Sequence, residues 1–94
     1  MKVEHIVWLD YIKDKLEWKH AIRTEEVKQV FANKARYFRT EKGKVEGEDL
    51  YNALGTTDTG RYLSVFFIHK RIGYAVIISA REMNRKERRR YGKK

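Results

Sequence analysis

Arginines are the residues in this chain best suited to chemistry, and Arg81 is the most favourably placed of them. It follows an apolar segment, Ile72 to Ala80, whose alternating pattern predicts a β-strand. A guanidinium held at a strand end is a planar, permanently charged fork that suits phosphate oxygens. The alternative is that Arg81 pairs with a carboxylate at the sheet edge. Strict alternation predicts that Arg81 shares a face with Ala75 and Ile77.

Basic side chains are concentrated directly after this strand. Of the formal net charge of +9, the last fourteen residues carry +6 and the first eighty carry +3. Asn84 and Glu87 have the spacing of a capping box, which predicts a short basic helix from Arg85 to Tyr91. Arg88 and Tyr91 would lie one turn apart and could reach a common point. The charge favours a polyanion, nucleic acid first, or an acidic partner protein, and the alternative is a solvated, frayed terminus.

Most enzyme classes lack their motif in this sequence. It contains no cysteine, and its three histidines show no metal-ligand spacing, so neither a metal nor another cofactor is expected. It also has no glycine-rich phosphate loop and no nucleophile elbow. Metal-independent RNA cleavage is still compatible with the sequence, because attack by a ribose 2′-hydroxyl needs only a base, an acid and cations. Composition alone leaves a non-catalytic nucleic-acid-binding module equally open.

The order of predicted helices and strands that position these residues indicates one α+β domain over residues 1–94. It should be a small antiparallel sheet of three to five strands, with two N-terminal helices on one face, the other face free, and a short basic C-terminal helix. Short turns between the last three strands require them to pair antiparallel. The predicted elements before Ile72 are a strand at Val3–Trp8, helices at Asp10–His20 and from Thr24 to Asn33, an edge strand at Arg36–Arg39, a loop at Thr40–Glu48, and strands at Leu50–Thr56 and Arg61–Ile68.

Several local expectations accompany the two helices. Asp10 and Thr24 are predicted N-caps, and Asn33 is a predicted stop in the left-handed conformation. Tyr11 and Trp18 lie seven residues apart and are predicted to widen the apolar face of the first helix as core residues, in preference to a base-stacking platform. No apolar run approaches the ~20 residues of a membrane span, and no secretory segment is visible, so we expect a soluble cytoplasmic protein.

Four stretches of the chain, in order, resemble the BrnT family of bacterial type II toxin–antitoxin systems. They are Lys19-His20 twelve residues after Trp8 with Glu25, Glu26, Val30 and Phe31; Gly47-Glu48-Asp49 with Tyr51 and Gly55; Gly60-Arg61-Tyr62-Leu63; and Ile77-Ile78-Ser79-Ala80-Arg81 with Glu87-Arg88 and Tyr91. The resemblance implies a RelE-like fold, metal-independent cleavage of RNA, and inhibition by a cognate, BrnA-like antitoxin within a toxin–antitoxin hetero-oligomer.

The resemblance also implies roles for particular residues. Arg61 and Arg81 become the preferred phosphate-binding and transition-state cations. Spacing alone makes His20 a partner of the helix dipole, whereas the resemblance makes His20 and Lys19 candidates for acid, base or charge stabiliser. Tyr91 becomes a proton donor or a stacking partner. The candidate RNA-binding residues are Arg85, Arg88 and Arg89.

The sequence departs from the family pattern at four positions. Leu50 stands where family members usually carry an arginine, Ala21 where they carry a glycine, and Leu16 where they carry an asparagine, and Asp10 lies one place later than the family's acid. If the absent arginine contacts RNA, this protein is a weakened or inactive relative, or it has moved that role to Arg36 or Arg39.

Overall fold

A computed structural model of the chain describes residues 1–41, 48–70 and 73–93, and for Glu41 only the main chain. These ranges contain eight helices and strands. They are β1 (His5–Val7), α1 (Asp10–His20), α2 (Thr24–Ala32), β2 (Arg36–Glu41), β3 (Leu50–Thr56), β4 (Tyr62–His69), β5 (Tyr74–Glu82) and α3 (Arg85–Gly92). No helix in the described ranges is long and apolar enough to cross a membrane.

The strands form one sheet in the order β1-β5-β4-β3-β2. Strands β2 to β5 pair antiparallel with their neighbours along the chain, as the short turns predict, whereas β1 pairs parallel with β5. A parallel neighbour is allowed there because two helices and three strands separate β1 from β5 in sequence. The α+β prediction with up to five strands is thus confirmed, and the sheet is mixed where a purely antiparallel one was expected.

The core lies between one face of the sheet and the two N-terminal helices. Helix α2 comes very close to β3 because position 55 is a glycine: a Cβ added there would lie 2.9 Å from Val30 Cγ1. The helices contribute Ile12, Leu16, Val27 and Val30, which are buried, and Leu9 and Phe31, which are half-buried. The largest contributors from the sheet are Leu63, Val65, Phe67 and Ile77.

Two aromatic residues predicted in the core are on the surface. Tyr11 is 69% exposed and Trp18 is 76% exposed. They share a helix face with each other, as their spacing requires, but that face is rotated by about 130° from the one carrying Ile12 and Leu16, at 100° per residue. The prediction is wrong because two residues seven apart share a helix face, but that face need not be the one that is buried.

A β-bulge in β5 overturns the predicted side-chain alternation. Phe66 pairs with Ser79 and Phe67 pairs with Ile77, so Ile78 is an extra residue opposite this step of β4. An extra residue shifts everything beyond it to the other face. Ala80 therefore joins Ile77 in the core, while Arg81, expected on the face of Ile77, lies on the opposite one.

The second face of the sheet was predicted to be free, but α3 crosses it. This helix is held by side chains of that face, among them Phe38, Tyr62 and Ser64. Its eight residues include none that is buried. The face is thus partly covered by a helix that contributes almost nothing to the hydrophobic core.

The predicted N-caps of α1 and α2 are each displaced by one residue. Leu9 and Arg23 occupy the N-cap positions, and Asp10 and Thr24 are the first helical residues. Asn33 is the C-cap of α2, so the predicted stop is confirmed, but its φ is −93° and Lys34 adopts the left-handed conformation. The Asn33 side chain donates to Thr56 O and Asp58 Oδ1, both at 2.9 Å.

Two predicted boundaries meet the edge of the described residues. Strand β2 continues to Glu41, past its predicted end at Arg39 and into the segment predicted as a loop, and residues 42–47 of that loop lie outside the described ranges. The predicted first residue of the last strand, Ile72, lies outside them as well.

Candidate functional site

The face of the sheet opposite the core brings together polar and aromatic side chains from four strands. The strand register places Phe38 opposite Asn52, Asn52 opposite Phe66, and Ser64 opposite Arg81. Residues directly opposite each other in a sheet point to the same side. This surface, which we call the open face, therefore displays Phe38, Asn52, Ser64, Phe66 and Arg81, with α3 lying across part of it.

Arg81 is the centre of a hydrogen-bonded cluster on the open face. Its guanidinium binds the Glu87 carboxylate through both oxygens, from Nη1 to Oε1 at 2.6 Å and from Nη2 to Oε2 at 2.9 Å. The hydroxyl of fully buried Ser64 donates to Glu87 Oε2 at 3.1 Å, and Asn52 Nδ2 donates to Ser64 Oγ at 2.8 Å. We call these four residues the Arg81 cluster.

Ionisation of Glu87 is favoured in this setting. Burial disfavours the charged form, but the hydrogen bonds from Arg81, from the backbone N–H of Asn84 and from Ser64 outweigh it and hold the pKa of Glu87 below its ordinary value. Glu87 is therefore a carboxylate at neutral pH. Its depressed pKa makes it a weak general base.

Helix α3 is attached to the sheet by its cap and by cations on aromatic rings. The predicted capping box is confirmed, since Glu87 N donates to Asn84 Oδ1 at 2.8 Å and Asn84 N donates to Glu87 Oε1 at 3.0 Å. The Arg90 guanidinium lies 3.7 Å from the centre of the Phe38 ring. Arg88 and Tyr91 meet on Tyr62, at 4.1 and 6.0 Å from its ring centre, as their spacing predicts.

The C-terminal end of α3 is held by Arg36. Its Nη1 donates to the carbonyls of Arg90 at 3.0 Å and Tyr91 at 3.1 Å, and it also contacts the carbonyl of Lys93. A cation is stabilising at this end of a helix because the carbonyls there carry partial negative charge. Arg36 is thus engaged by α3. Arg39, the other candidate for the absent arginine's role, pairs with Asp49 at 3.5 Å.

A cleft of about 240 Å³ opens beside the Arg81 cluster. It is lined by Thr40, Asn52, Phe66, Asn84, Lys86, Glu87 and Arg90. The three predicted RNA-binding residues Arg85, Arg88 and Arg89 line a neighbouring concavity with Met83. This edge of the open face therefore combines a strongly positive surface with exposed edges of aromatic rings. Leu50, which pairs with Ile68 at the far end of β3, adds no charge to it.

Arg61 occupies a different environment on the core side of the sheet. Its Nη1 donates to both oxygens of Glu26 at 3.1 Å and to Ala21 O at 2.8 Å, Nη2 donates to His20 O at 3.1 Å, and Nε donates to Glu82 at 3.1 Å. Burial lowers the pKa of this guanidinium, but the bonds to Glu26 and Glu82 outweigh it and raise the pKa. We call Arg61 with these partners the Arg61 clamp, because it joins the end of α1 to the start of α2.

The structure divides the predicted catalytic residues between the two sides of the sheet. Arg81 and Tyr91 lie with α3 on the open face, whereas Arg61, His20 and Lys19 lie at the junction of α1 and α2. Lys19 is exposed and His20 half-buried at the end of α1. A single small site does not contain both groups. Within the described residues, no group of three or more His, Asp or Glu side chains could hold a metal ion.

Sequence reasoning missed Asn52 and Ser64, and it used Glu87 only as a cap and as part of a family stretch, not as a site residue. The available signal was that Asn52 and Ser64 are polar residues in the middle of otherwise apolar segments. A buried polar side chain needs a hydrogen-bond partner, so each pointed to a network on one face of the sheet.

Comparison with known proteins assigns the family. The family model described as "Ribonuclease toxin, BrnT, of type II toxin-antitoxin system" matches residues 10–87. The chain belongs to the BrnT family. The matched range contains Arg81, Ser64, Asn52 and Glu87, and thus the whole Arg81 cluster. No curated protein sequence matches the chain.

A solved structure of a BrnT protein has the same fold. The crystal structure of the Brucella abortus ribonuclease toxin BrnT at 1.1 Å resolution aligns with a TM-score of 0.66 over 88% of this chain and 100% of that chain. The two sequences are 18% identical over the alignment. This comparison supports the architecture of sheet and helices, and the BrnT family assignment comes from the family model.

Proposed function

We propose that this protein is a metal-independent endoribonuclease toxin whose active surface is the open face around Arg81. The observation that carries the proposal is the Arg81 cluster, a guanidinium fork fixed by a bulged strand beneath a basic helix, in a chain of the BrnT ribonuclease toxin family. RNA is the substrate, and the cytoplasm is the compartment in which the protein meets it.

Cleavage would proceed by attack of a ribose 2′-hydroxyl on the adjacent phosphorus. The reaction breaks the bond from phosphorus to the 5′ oxygen of the next nucleotide, which leaves with a proton, and produces a cyclic phosphate. Arg81 is positioned to stabilise charge on the non-bridging oxygens, since its fork already binds a planar oxyanion bidentately. Arg88 and Tyr91, which meet on Tyr62, lie close enough to assist.

The flanking cations on α3 would bind the rest of the RNA. Arg85, Arg88 and Arg89 surround one concavity, and Lys86, Arg89, Arg90 and Lys93 surround the next. Contacts of this kind bind phosphates without reading sequence and weaken as salt rises. For Arg61, His20 and Lys19 a catalytic role stays a prediction, and the contacts of Arg61 favour a structural one.

A cognate antitoxin would inhibit the toxin by covering the open face. A type II system pairs its toxin with an antitoxin protein, and the BrnA-like partner implied by the resemblance would form a hetero-oligomer with this chain. The excess of positive charge on α3 favours an antitoxin with an acidic contact surface. Co-expression should therefore relieve the toxicity that the chain has when expressed alone.

The direct test is incubation of the purified chain with total RNA in EDTA. We expect cleavage by the parent and by a Lys28→Ala control, which changes an exposed cation of α2 far from the open face. Arg81→Lys, which keeps the charge but cannot form the bidentate contact, should cut far more slowly. Cleavage that requires an added divalent ion would contradict metal independence. RNA that is bound but left intact would favour a binding module, and the assay would then be repeated on translating ribosomes.

A further inference from the structure

The Arg81 cluster has the construction of an anion-binding site that is already filled. Four donors converge on the Glu87 carboxylate: two nitrogens of Arg81, the Ser64 hydroxyl and the backbone N–H of Asn84. Ser64 is fully buried, and its own oxygen accepts from Asn52, which is 3% exposed. Several donors that converge on one carboxylate are also what a phosphate group requires.

We propose that Glu87 occupies a phosphate-binding site made by Arg81 and Ser64, and that a phosphate of the RNA substrate displaces it. This inference rests on the proposed function for the identity of the ligand. The carboxylate and a phosphodiester each present two oxygens to the Arg81 fork, so only one of them can be bound at a time. The free protein therefore holds its own site closed with an internal substitute for the substrate.

The attachment of α3 makes this displacement plausible in energy. The helix has no buried residue, and its contacts to the sheet include the bonds from Arg81 and Ser64 to Glu87, the guanidinium groups of Arg88 and Arg90 on the rings of Tyr62 and Phe38, the Tyr91 ring on Tyr62, and bonds from Arg36 to its last carbonyls. Cation–π contacts at the protein surface are individually weak. The helix is thus held mainly by hydrogen bonds and cation–π contacts, whereas the strands that carry Arg81 and Ser64 belong to the core.

The cleft beside the Arg81 cluster is small. Its volume of about 240 Å³ is below the ~300–1,000 Å³ of an ordinary ligand pocket. Glu87, Asn84 and Lys86 at the start of α3 form one wall of it. Withdrawal of this turn would enlarge the cleft and expose Arg81, Ser64 and the edge of Phe66 together.

Substitutions at Glu87 test the inference with inorganic phosphate alone. In Glu87→Ala the four donors lose their carboxylate, so phosphate should bind and raise the unfolding temperature in a saturable manner. Ionic strength would be held constant with chloride to remove general screening. The parent should need a much higher phosphate concentration for the same rise, because phosphate must first displace Glu87, and Glu87→Ala combined with Arg81→Ala should lose the response. Because no RNA is present, this result is independent of whether the protein is a ribonuclease.

Two controls separate an emptied site from a loosened helix. Arg36→Ala removes the hold on the last turn of α3 and leaves Glu87 on Arg81, so it should gain no phosphate response. Glu87→Gln keeps the shape of the side chain but presents an N–H to the cationic fork, so it should respond as Glu87→Ala does.

The RNA assay then decides between displacement and a positioning role for Glu87. Under the proposal, both Glu87 variants bind RNA about tenfold more tightly than the parent, as expected for one competing contact removed. If Glu87 serves instead to orient Arg81, both variants cut RNA more slowly and gain no phosphate binding. That outcome, or an equal phosphate response in parent and variants, would overturn the proposal.

Discussion

The Arg61 clamp and the Arg81 cluster are two arginine–carboxylate sites at the same end of neighbouring strands, on opposite sides of one sheet. Arg61 binds two carboxylates and two backbone carbonyls, and its side chain is 24% exposed. Arg81 binds one carboxylate and the backbone carbonyl of Glu82, and its side chain is 37% exposed. Arg61 binds Glu82 of β5, and its other partners lie in or directly after the two core helices, whereas the carboxylate bound by Arg81 belongs to a helix with no buried residue.

This difference teaches that the role of an arginine depends on what its partner is attached to. Releasing Arg61 would separate α1 from α2 and expose the core between them. Releasing the Glu87 carboxylate from Arg81 needs only the movement of α3. The first site therefore fits a structural role and the second fits exchange of one anion for another, although sequence reasoning assigned both arginines the same function.

The largest effect that separates the two sites should be the loss of cleavage at Arg81. Arg81→Ala removes the cation from the site of the transition-state charge, and we expect the rate of RNA cleavage to fall by about 10²-fold or more. Initial rates on one labelled RNA would measure it, with the folded fraction determined by circular dichroism. Activity within a few-fold of the parent would remove Arg81 from the active site.

Arg61→Ala should have the complementary effect on stability. It leaves the Glu26 carboxylate, 15% exposed, without its partner and uncaps the last carbonyls of α1. We expect a loss of about 2 kcal/mol in the free energy of unfolding. Urea denaturation would measure this loss, and cleavage per folded molecule should stay within a few-fold of the parent. A collapse of cleavage in a fully folded Arg61→Ala protein would restore the predicted catalytic role.

Acid should weaken both sites through their carboxylates. Burial opposes ionisation of Glu26, but bonds from Arg23 and Arg61 lower its pKa below the ordinary 4.5, and the pKa of Glu87 is lowered as well. The unfolded chain takes up these protons first as pH falls. The stability that they provide is therefore complete above pH ~4.5 and is lost as pH falls through the folded-state pKa values.

Urea midpoints measured between about pH 6 and about pH 3 would record this loss. A Glu26→Gln variant should show a shallower dependence, because one of the two titrating groups is gone. An unchanged slope would mean that Glu26 does not contribute to the acid sensitivity.

A smaller effect is expected at Ala21, the residue that ends α1 beside the Arg61 clamp. Its φ of 52° is left-handed, and its N–H donates to Glu17 O. Glycine has no strain in this conformation, so Ala21→Gly should raise the free energy of unfolding by about 0.5–1 kcal/mol. The matched Ala32→Gly change, in the last turn of α2 without positive φ, should lower it. A loss of stability in both variants would contradict this account.

Patterns of local spacing predicted much of the fold. The antiparallel pairing of β3, β4 and β5 through short turns and the spacing of Asn84 and Glu87 each depend on neighbours within a few residues. Pairing of β1 beside β5 was not predictable in this way, because no short turn links them. The bulge at Ile78 was likewise invisible, since a run of apolar residues looks the same with or without an extra member.

The candidate site was predicted in its residue types more than in its geometry. Arg81, Arg88 and Tyr91 do lie on one side of the sheet, because one strand and the helix after it carry all three. Arg61 is grouped with them only through the family resemblance, which implies the same role for both arginines. A shift of one residue along a strand moves a side chain to the other face of the sheet. The partners of Arg61 on α1 and α2 are also distant from it in sequence.

The position of β5 between β1 and β4 has a consequence for the order in which the molecule is completed. His5 pairs with Tyr74, so the first strand stays without its neighbour until the last strand has been synthesised. Contacts so distant in sequence are slow to form. Arg81 and α3 arrive with that same strand. A nascent chain therefore carries neither a finished sheet nor the Arg81 cluster until β5 and α3 have been synthesised.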